Sequence, residues 1–344
     1  MKVIVDDKIP YIKGEIERLA DEVIYLPGAQ ITASEVRDAD ALIVRTRTHC
    51  NRQLLEGSKV RFIATATIGF DHLDTAYLHQ AGITWTNCPG CNATSVAQYV
   101  HSSLLLLERE HGLDLAHCRL GIVGVGNVGS QVLQKCRPLV GEVLLNDPPR
   151  QEREGRDTQL AWSTLDDLAR KCDVITIHTP LITDGPHPTL HLVDDALLHR
   201  LQHRPFIINC GRGEVADNEA LERALDEGRI RQAIIDTWEN EPRIRLSLLG
   251  KVFIGTPHVA GYSADGKANA TRMSLEALAR WMGRPADFHI QPPALPAGSI
   301  TATTPAEVAL QLYDPRQDSN RLKARPGDFE QLRGNYPLRR ECAN

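Results

Sequence analysis

A succession of short apolar runs, rich in β-branched residues and spaced by helix-length segments, constrains this chain most. Four come early, at Val3–Val5, Leu42–Val44, Phe62–Ala64 and Ile83–Trp85. Six follow, at Leu120–Val123, Val143–Asn146, Val174–Ile177, Phe206–Asn209, Ala233–Asp236 and Val252–Gly255. Strands alternating with helices imply parallel sheets, so the class is α/β. The six later runs make a full doubly wound, Rossmann-type set. Helices are expected at Tyr11–Leu19 and Asp74–Gln80. Two longer ones, Ser95–Glu110 and Asp265–Met282, suit crossings between domains. At 344 residues the chain is too long for one ordinary core. The expected division is a substrate domain at 1–95 plus 264–284, an inserted Rossmann domain at 96–263, and a C-terminal segment at 285–344.

Directly after Leu120–Val123 comes Gly124-Val125-Gly126-Asn127-Val128-Gly129, opening a helix toward Leu139. Gly124 allows a tight turn, Gly126 a close approach of backbone to pyrophosphate, and Gly129 close packing of helix on strand. The helix N-terminus favours the phosphate charge. Asp147 ends the next strand, where an acid holds ribose hydroxyls and repels a 2′-phosphate, so NAD is preferred over NADP. Arg150, close by, reads as a solvated loop charge. Thr179 ends a third strand and could pack beside the adenosine half. Asp236 ends another, where a carboxylate can accept from the nicotinamide carboxamide or cap a turn.

Three further polar positions follow apolar runs: Arg212 in Gly211-Arg212-Gly213, Glu241 before Pro242, and His258 after Thr256-Pro257. Oxidising a 2-hydroxy acid needs a grip on the carboxylate and a base for the hydroxyl proton. An arginine fork binds carboxylate bidentately, and the flanking glycines leave it room. Histidine titrates near working pH, and a carboxylate behind it fixes its tautomer. With 13 histidines in the chain, placement decides, and His178 is the competitor for the base.

The net charge of -5 argues against general affinity for nucleic acid or anionic membrane. The first residues, Met1-Lys2-Val3-Ile4-Val5-Asp6, read as a strand rather than a signal peptide, and no apolar run reaches membrane-spanning length. Eight scattered cysteines suit reduced, cytoplasmic thiols. Cys88-Pro89-Gly90-Cys91 lacks a second ligand pair, so no metal is expected.

These motifs, in this order, resemble the D-isomer-specific 2-hydroxyacid dehydrogenases, from about Val3 to Met282. A closer resemblance is to the erythronate-4-phosphate dehydrogenase family of vitamin B6 synthesis. It is carried by Val5-Asp6-Asp7-Lys8-Ile9-Pro10-Tyr11, Ala64-Thr65-Ala66-Thr67-Ile68-Gly69-Phe70-Asp71-His72, and Pro89-Gly90-Cys91-Asn92-Ala93. The glycine fingerprint, Asn146-Asp147-Pro148-Pro149-Arg150 and His258-Val259-Ala260-Gly261-Tyr262-Ser263 extend it. The tail, from Tyr313-Asp314-Pro315-Arg316 to Arg340-Glu341, resembles that family's dimerisation segment. It ends soon after Arg340, where many members continue.

The resemblance implies a flavodoxin-like substrate domain and a cytoplasmic homodimer. It implies NAD-dependent oxidation of 4-phospho-D-erythronate to 2-oxo-3-hydroxy-4-phosphobutanoate. Arg212 would bind the substrate carboxylate, His258 would be the acid/base and Glu241 its support. Thr46, Thr67 and Tyr262 would contact substrate; Asp147, Thr179, Asp236 and Gly261 would contact NAD. Candidates for the substrate phosphate are Arg45, Arg47, Lys267 and the tail arginines Arg321, Arg325, Arg339 and Arg340. Alternatives are a dehydrogenase acting on phosphoglycerate, hydroxypyruvate or glyoxylate, and an NAD-dependent corepressor-like binding protein.

Overall fold

Both sheets owe their form to the same local rule: consecutive apolar residues in a strand point to opposite faces, so an unbroken apolar run needs cover on both. The computed structural model describes residues 1–155 and 160–342. The chain divides into two compact units, Met1–Asn92 with Ser263–Ala294, and Ala93–Tyr262 with Leu295–Asn344.

In the first unit five parallel strands, β1 (Lys2–Asp6), β2 (Glu22–Leu26), β3 (Ala41–Val44), β4 (Phe62–Thr65) and β5 (Thr84–Thr86), form a sheet of order β2-β1-β3-β4-β5. That is the flavodoxin-like order. Val3, Val5, Ile43 and Ala64 enter the core on one face with Leu275 and Leu278 of the helix Ala264–Trp281. Ile4, Leu42, Val44 and Ile63 enter the core on the other face with Val60 and Leu78. The helix expected at Tyr11–Leu19 does not form. Tyr11 and Gly14 hold φ of 60° and 88°, and only Ile16–Arg18 makes a 3₁₀ turn. Strand β2, unforeseen from the sequence, lies at the sheet edge with only β1 beside it.

The second unit holds β6 (Arg119–Val123), β7 (Glu142–Asn146), β8 (Val174–Ile177), β9 (Phe206–Asn209), β10 (Gln232–Ile235) and β11 (Ile254–Gly255). All pair in parallel, in the order β11-β10-β9-β8-β6-β7. Strand β11 is shorter than expected, because Val252 caps the helix Leu246–Lys251. The helix Ala93–His111 is buried along most of its length, and its Tyr99, Leu104 and Leu107 pack with Ile122, Ile208 and Ile234. The tail folds onto this unit. Tyr313 joins that same cluster, while Leu322 and Phe329 join the cluster holding Ile177, Ile207 and Ile235. Chain order reverses between β6 and β8, and the crevice at such a switch point is where open α/β sheets bind ligands.

Candidate active site

Gly124 leaves β6 with φ of 82°, and a Cβ there would lie 2.9 Å from the backbone nitrogen of Thr179, which follows β8. A Cβ on Gly129 would lie 2.0 Å from the Gly124 carbonyl oxygen. Both glycines are therefore dictated by backbone crowding. Gly126 is exposed with nothing within 4 Å of a built Cβ, and it caps the helix Asn127–Cys136. That leaves open space in front of the helix N-terminus, as a pyrophosphate requires. Asp147 accepts from Val125 N at 2.8 Å and Arg150 N at 2.9 Å, which ties the strand-end acid to the glycine turn. Arg150 is not a solvated charge. Its guanidinium donates to the Val125 carbonyl, to Ser130 Oγ and to Glu154. The Thr179 hydroxyl is buried without a hydrogen-bond partner, a vacant valence beside the fingerprint. These residues fit a dinucleotide.

Four strand ends away lies the candidate acid–base pair. His258 Nδ1 lies 2.8 Å from Glu241 Oε2, while Glu241 Oε1 accepts from Trp238 N at 2.9 Å. Burial pushes the Glu241 carboxyl up, but the His258 hydrogen bond and charge, the Trp238 amide and the Arg333 cation outweigh it. The net result lies below the ordinary value. An ionised Glu241 fixes the proton on Nδ1 and leaves Nε2 as an acceptor. His258 sits at φ of 58°, a conformation that costs free energy in a non-glycine residue.

Asp236 holds it there. The Asp236 carbonyl accepts from His258 N at 2.9 Å. The carboxylate, 1% exposed, accepts from Thr256 Oγ1, Val259 N and Ala260 N at 2.7, 2.8 and 3.0 Å. Burial pushes this carboxyl up, opposed by His258 and those donors. Tyr99 donates to Thr256 Oγ1, and Trp238 Nε1 donates to the Thr256 carbonyl. Asp236 thus organises the loop after β11, the turn-capping role weighed against the carboxamide contact.

Arg212 is exposed at the end of β9. Its flanking glycines answer to backbone crowding rather than to room for the guanidinium. A Cβ on Gly211 would meet the Thr179 carbonyl oxygen at 2.7 Å, and one on Gly213 the Trp238 carbonyl oxygen at 1.9 Å. Buried Asn209 donates to the Arg212 and Thr237 carbonyls and accepts from Gly211 N, which fixes the loop. Among the described residues no carboxylate pairs with His178. Its Nε2 faces Thr176 Oγ1, and burial pushes its pKa down to about 3. It lacks the support that His258 has.

In the first unit Thr46 is exposed after β3, and Thr67 follows β4. A hydroxyl relay runs from His72 Nε2 through Thr65 Oγ1 to Thr67 Oγ1, which donates to the Gly69 carbonyl. Arg45 donates to the Lys8 carbonyl, and Arg47 is exposed. Cys88 and Cys91 are buried thiols with pKa values pushed up by burial to about 11 and about 12. Among the described residues no group of three or more acids, histidines or cysteines could hold a metal ion.

Residues 93–260 match the family described as D-isomer specific 2-hydroxyacid dehydrogenase, NAD binding domain. Along its length the chain is 58% identical over 341 residues to erythronate-4-phosphate dehydrogenase of Bacteroides fragilis, covering 99% of this chain and 97% of that protein. The chain belongs to the erythronate-4-phosphate dehydrogenase family. The same enzyme of Bacteroides thetaiotaomicron is 55% identical over the same shares. Among solved structures, a D-lactate dehydrogenase from Treponema pallidum is similar, with a TM-score of 0.69 over 83% of this chain and 98% of that one. At 22% identity it speaks for the fold alone. This family member is an NAD-dependent dehydrogenase of the 2-hydroxyacid class.

Two tail residues next to the acid–base loop were not singled out from the sequence as parts of it. Arg339, expected to reach for a phosphate, is 9% exposed and turned inward. It donates to the carbonyls of Ser95, Val259, Ala260 and Tyr262 and to Gln98 Oε1, and it stacks 3.8 Å from the Tyr313 ring centroid. A guanidinium has enough donors to satisfy a cluster of buried carbonyls, which is why it is buried here. Arg333 Nη1 lies 3.7 Å from Glu241 Oε2. Of the other tail candidates, Arg321 pairs with Asp318 and Arg325 with Asp328.

Proposed function

We propose that the protein oxidises the C2 hydroxyl of 4-phospho-D-erythronate, giving 2-oxo-3-hydroxy-4-phosphobutanoate for pyridoxal phosphate synthesis. The observation that carries this reading is the His258–Glu241 pair, joined at 2.8 Å at the end of β11 in an NAD-binding domain. The substrate comes from the 58% identical relative named for it.

Gly124, Gly126, Asn127, Val128 and Gly129 would hold the pyrophosphate, and Asp147 the ribose hydroxyls. Thr179, Asp236 and Gly261 complete the NAD contacts by resemblance. Held by these residues, NAD would supply the acceptor for the C2 hydride. Arg212 grips the substrate carboxylate, where a planar fork fixes the acid end. His258 Nε2 takes the hydroxyl proton, and ionised Glu241 stabilises the imidazolium that forms. Glu241 does not itself take the proton. Thr46, Thr67 and Tyr262 are assigned to substrate by resemblance. Arg45, Arg47, Lys267, Arg321, Arg325 and Arg340 stay candidates for the phosphate, while Arg339 is committed elsewhere.

We also assign a cytoplasmic homodimer. The tail's likeness to the family's dimerisation segment supports the dimer, and eight unpaired cysteines support a reducing compartment. No helix among the described residues is long and apolar enough to cross a membrane.

The test is NADH formation by purified protein given 4-phosphoerythronate, 3-phosphoglycerate or D-lactate in parallel. A 2-oxo acid acceptor is supplied in a companion assay and its reduced product followed, which covers a cofactor that stays bound. A clear preference for 4-phosphoerythronate is expected. Turnover of another acid alone overturns the substrate, and none at all overturns the enzyme reading.

A further inference from the structure

The tail carries a second cation into the acid–base loop. Arg333, on the helix Phe329–Gly334, places Nη1 3.7 Å from Glu241 Oε2, the same oxygen that faces His258 Nδ1. Both partners are largely sequestered, with 30% of the Arg333 side chain and 16% of the Glu241 side chain exposed. Screening by solvent is weak there, so the charge is felt by its neighbours. Arg333 Nε is buried with no hydrogen-bond partner, while the guanidinium also hydrogen-bonds the Tyr262 side chain. Its nearby charged and titratable groups are Glu241, Tyr262 and Asp236. A second tail cation at this loop, Arg339, holds the Val259, Ala260 and Tyr262 carbonyls.

We infer that Arg333 is a positioning residue: its guanidinium fixes and partly neutralises Glu241, and so limits how strongly Glu241 draws a proton onto His258. The physical consequence follows from the charges. A lone carboxylate against imidazole favours imidazolium over the neutral ring. A cation behind the carboxylate offsets that pull while keeping the carboxylate ionised and oriented. The tail thereby takes part in the chemistry of its own chain, in addition to any part it has in assembly. This rests on the assignment of His258 as the base.

The test is an NMR titration of the His258 imidazole in the full-length protein saturated with NAD, with His258→Gln identifying its resonance. Arg333→Gln should raise the His258 pKa by roughly half a unit or more. Arg333→Lys should raise it by less, since a charge remains on a shorter reach, and it keeps the inference testable if the glutamine variant does not fold. The acid limb of the kcat/KM profile should move to higher pH by the same amount. An imidazole unmoved in both variants, with only a lower melting temperature, would reduce Arg333 to a structural brace and overturn the inference. So would a raised KM with an unmoved titration, which would make Arg333 a substrate contact. Because the titration needs no turnover, failure of the substrate reading shows separately, as absence of NADH from 4-phosphoerythronate with the unaltered protein.

Discussion

Two histidines end strands of the same sheet, and they have opposite surroundings. His178, after β8, is buried with a threonine hydroxyl for company and a pKa pushed down to about 3. His258, after β11, is partly exposed, backed by a carboxylate, and held in a strained backbone conformation by buried Asp236. Identical side chains at equivalent places in the topology therefore have different chemistry. The difference comes from what stands behind each ring. Around His258 the fold gathers Asp236, Glu241, Arg333 and Arg339 within one loop cluster. At His178 the neighbour is the Thr176 hydroxyl, and burial is what sets its pKa.

The largest expected break in this comparison is His258→Gln, which should lower turnover about a hundredfold to ten-thousandfold, while His178→Gln changes it only a few-fold. Equal losses in the two variants would contradict the contrast. Next in size is Arg339→Met. It strands the carbonyls of Ser95, Val259, Ala260 and Tyr262. The expected cost is on the order of 3 kcal/mol, read from urea unfolding at one protein concentration.

Smaller again is Glu241→Gln, which keeps the shape and removes the charge behind His258. A loss of about ten- to a hundredfold in kcat/KM is expected, with the acid limb of the pH profile moved to lower pH, because imidazolium loses its counter-charge. A limb that stays in place would detach Glu241 from the base. The last prediction concerns His178 and the pH dependence of stability. Its folded pKa lies below the ordinary 6.5, so the unfolded chain binds the proton first as pH falls. Its contribution is whole above pH 6.5 and is lost as pH drops toward about 3, at no more than about 1.4 kcal/mol per pH unit. His178→Gln should flatten that slope in denaturant titrations between pH 7 and pH 5.

Much of this was legible in the sequence. Both sheets showed through as apolar runs, since strands covered on two faces cannot alternate with polar residues. Arg212, Glu241 and His258 stood out because each follows such a run, where parallel sheets present their chemistry. Strand β2 was missed as a half-exposed edge, and Tyr11–Leu19 looked helical only until Gly14 is seen at positive φ. The flanking glycines of Arg212 were visible, but the reason for them was not: the Trp238 and Thr179 carbonyls that crowd them come from other strand ends. Arg333 and Arg339 were illegible for the same reason. Arg339 meets Ser95 across 244 positions of chain, and in a basic tail a buried arginine reads like any surface one.

The most direct measurement is the fate of a deuterium placed on C2 of 4-phosphoerythronate, followed by mass spectrometry after turnover with NAD. The account predicts that the label leaves C2 and is recovered in the reduced cofactor, with none released to water. Label retained in the product, or washed into solvent, would contradict hydride transfer from C2 and with it the role given to His258.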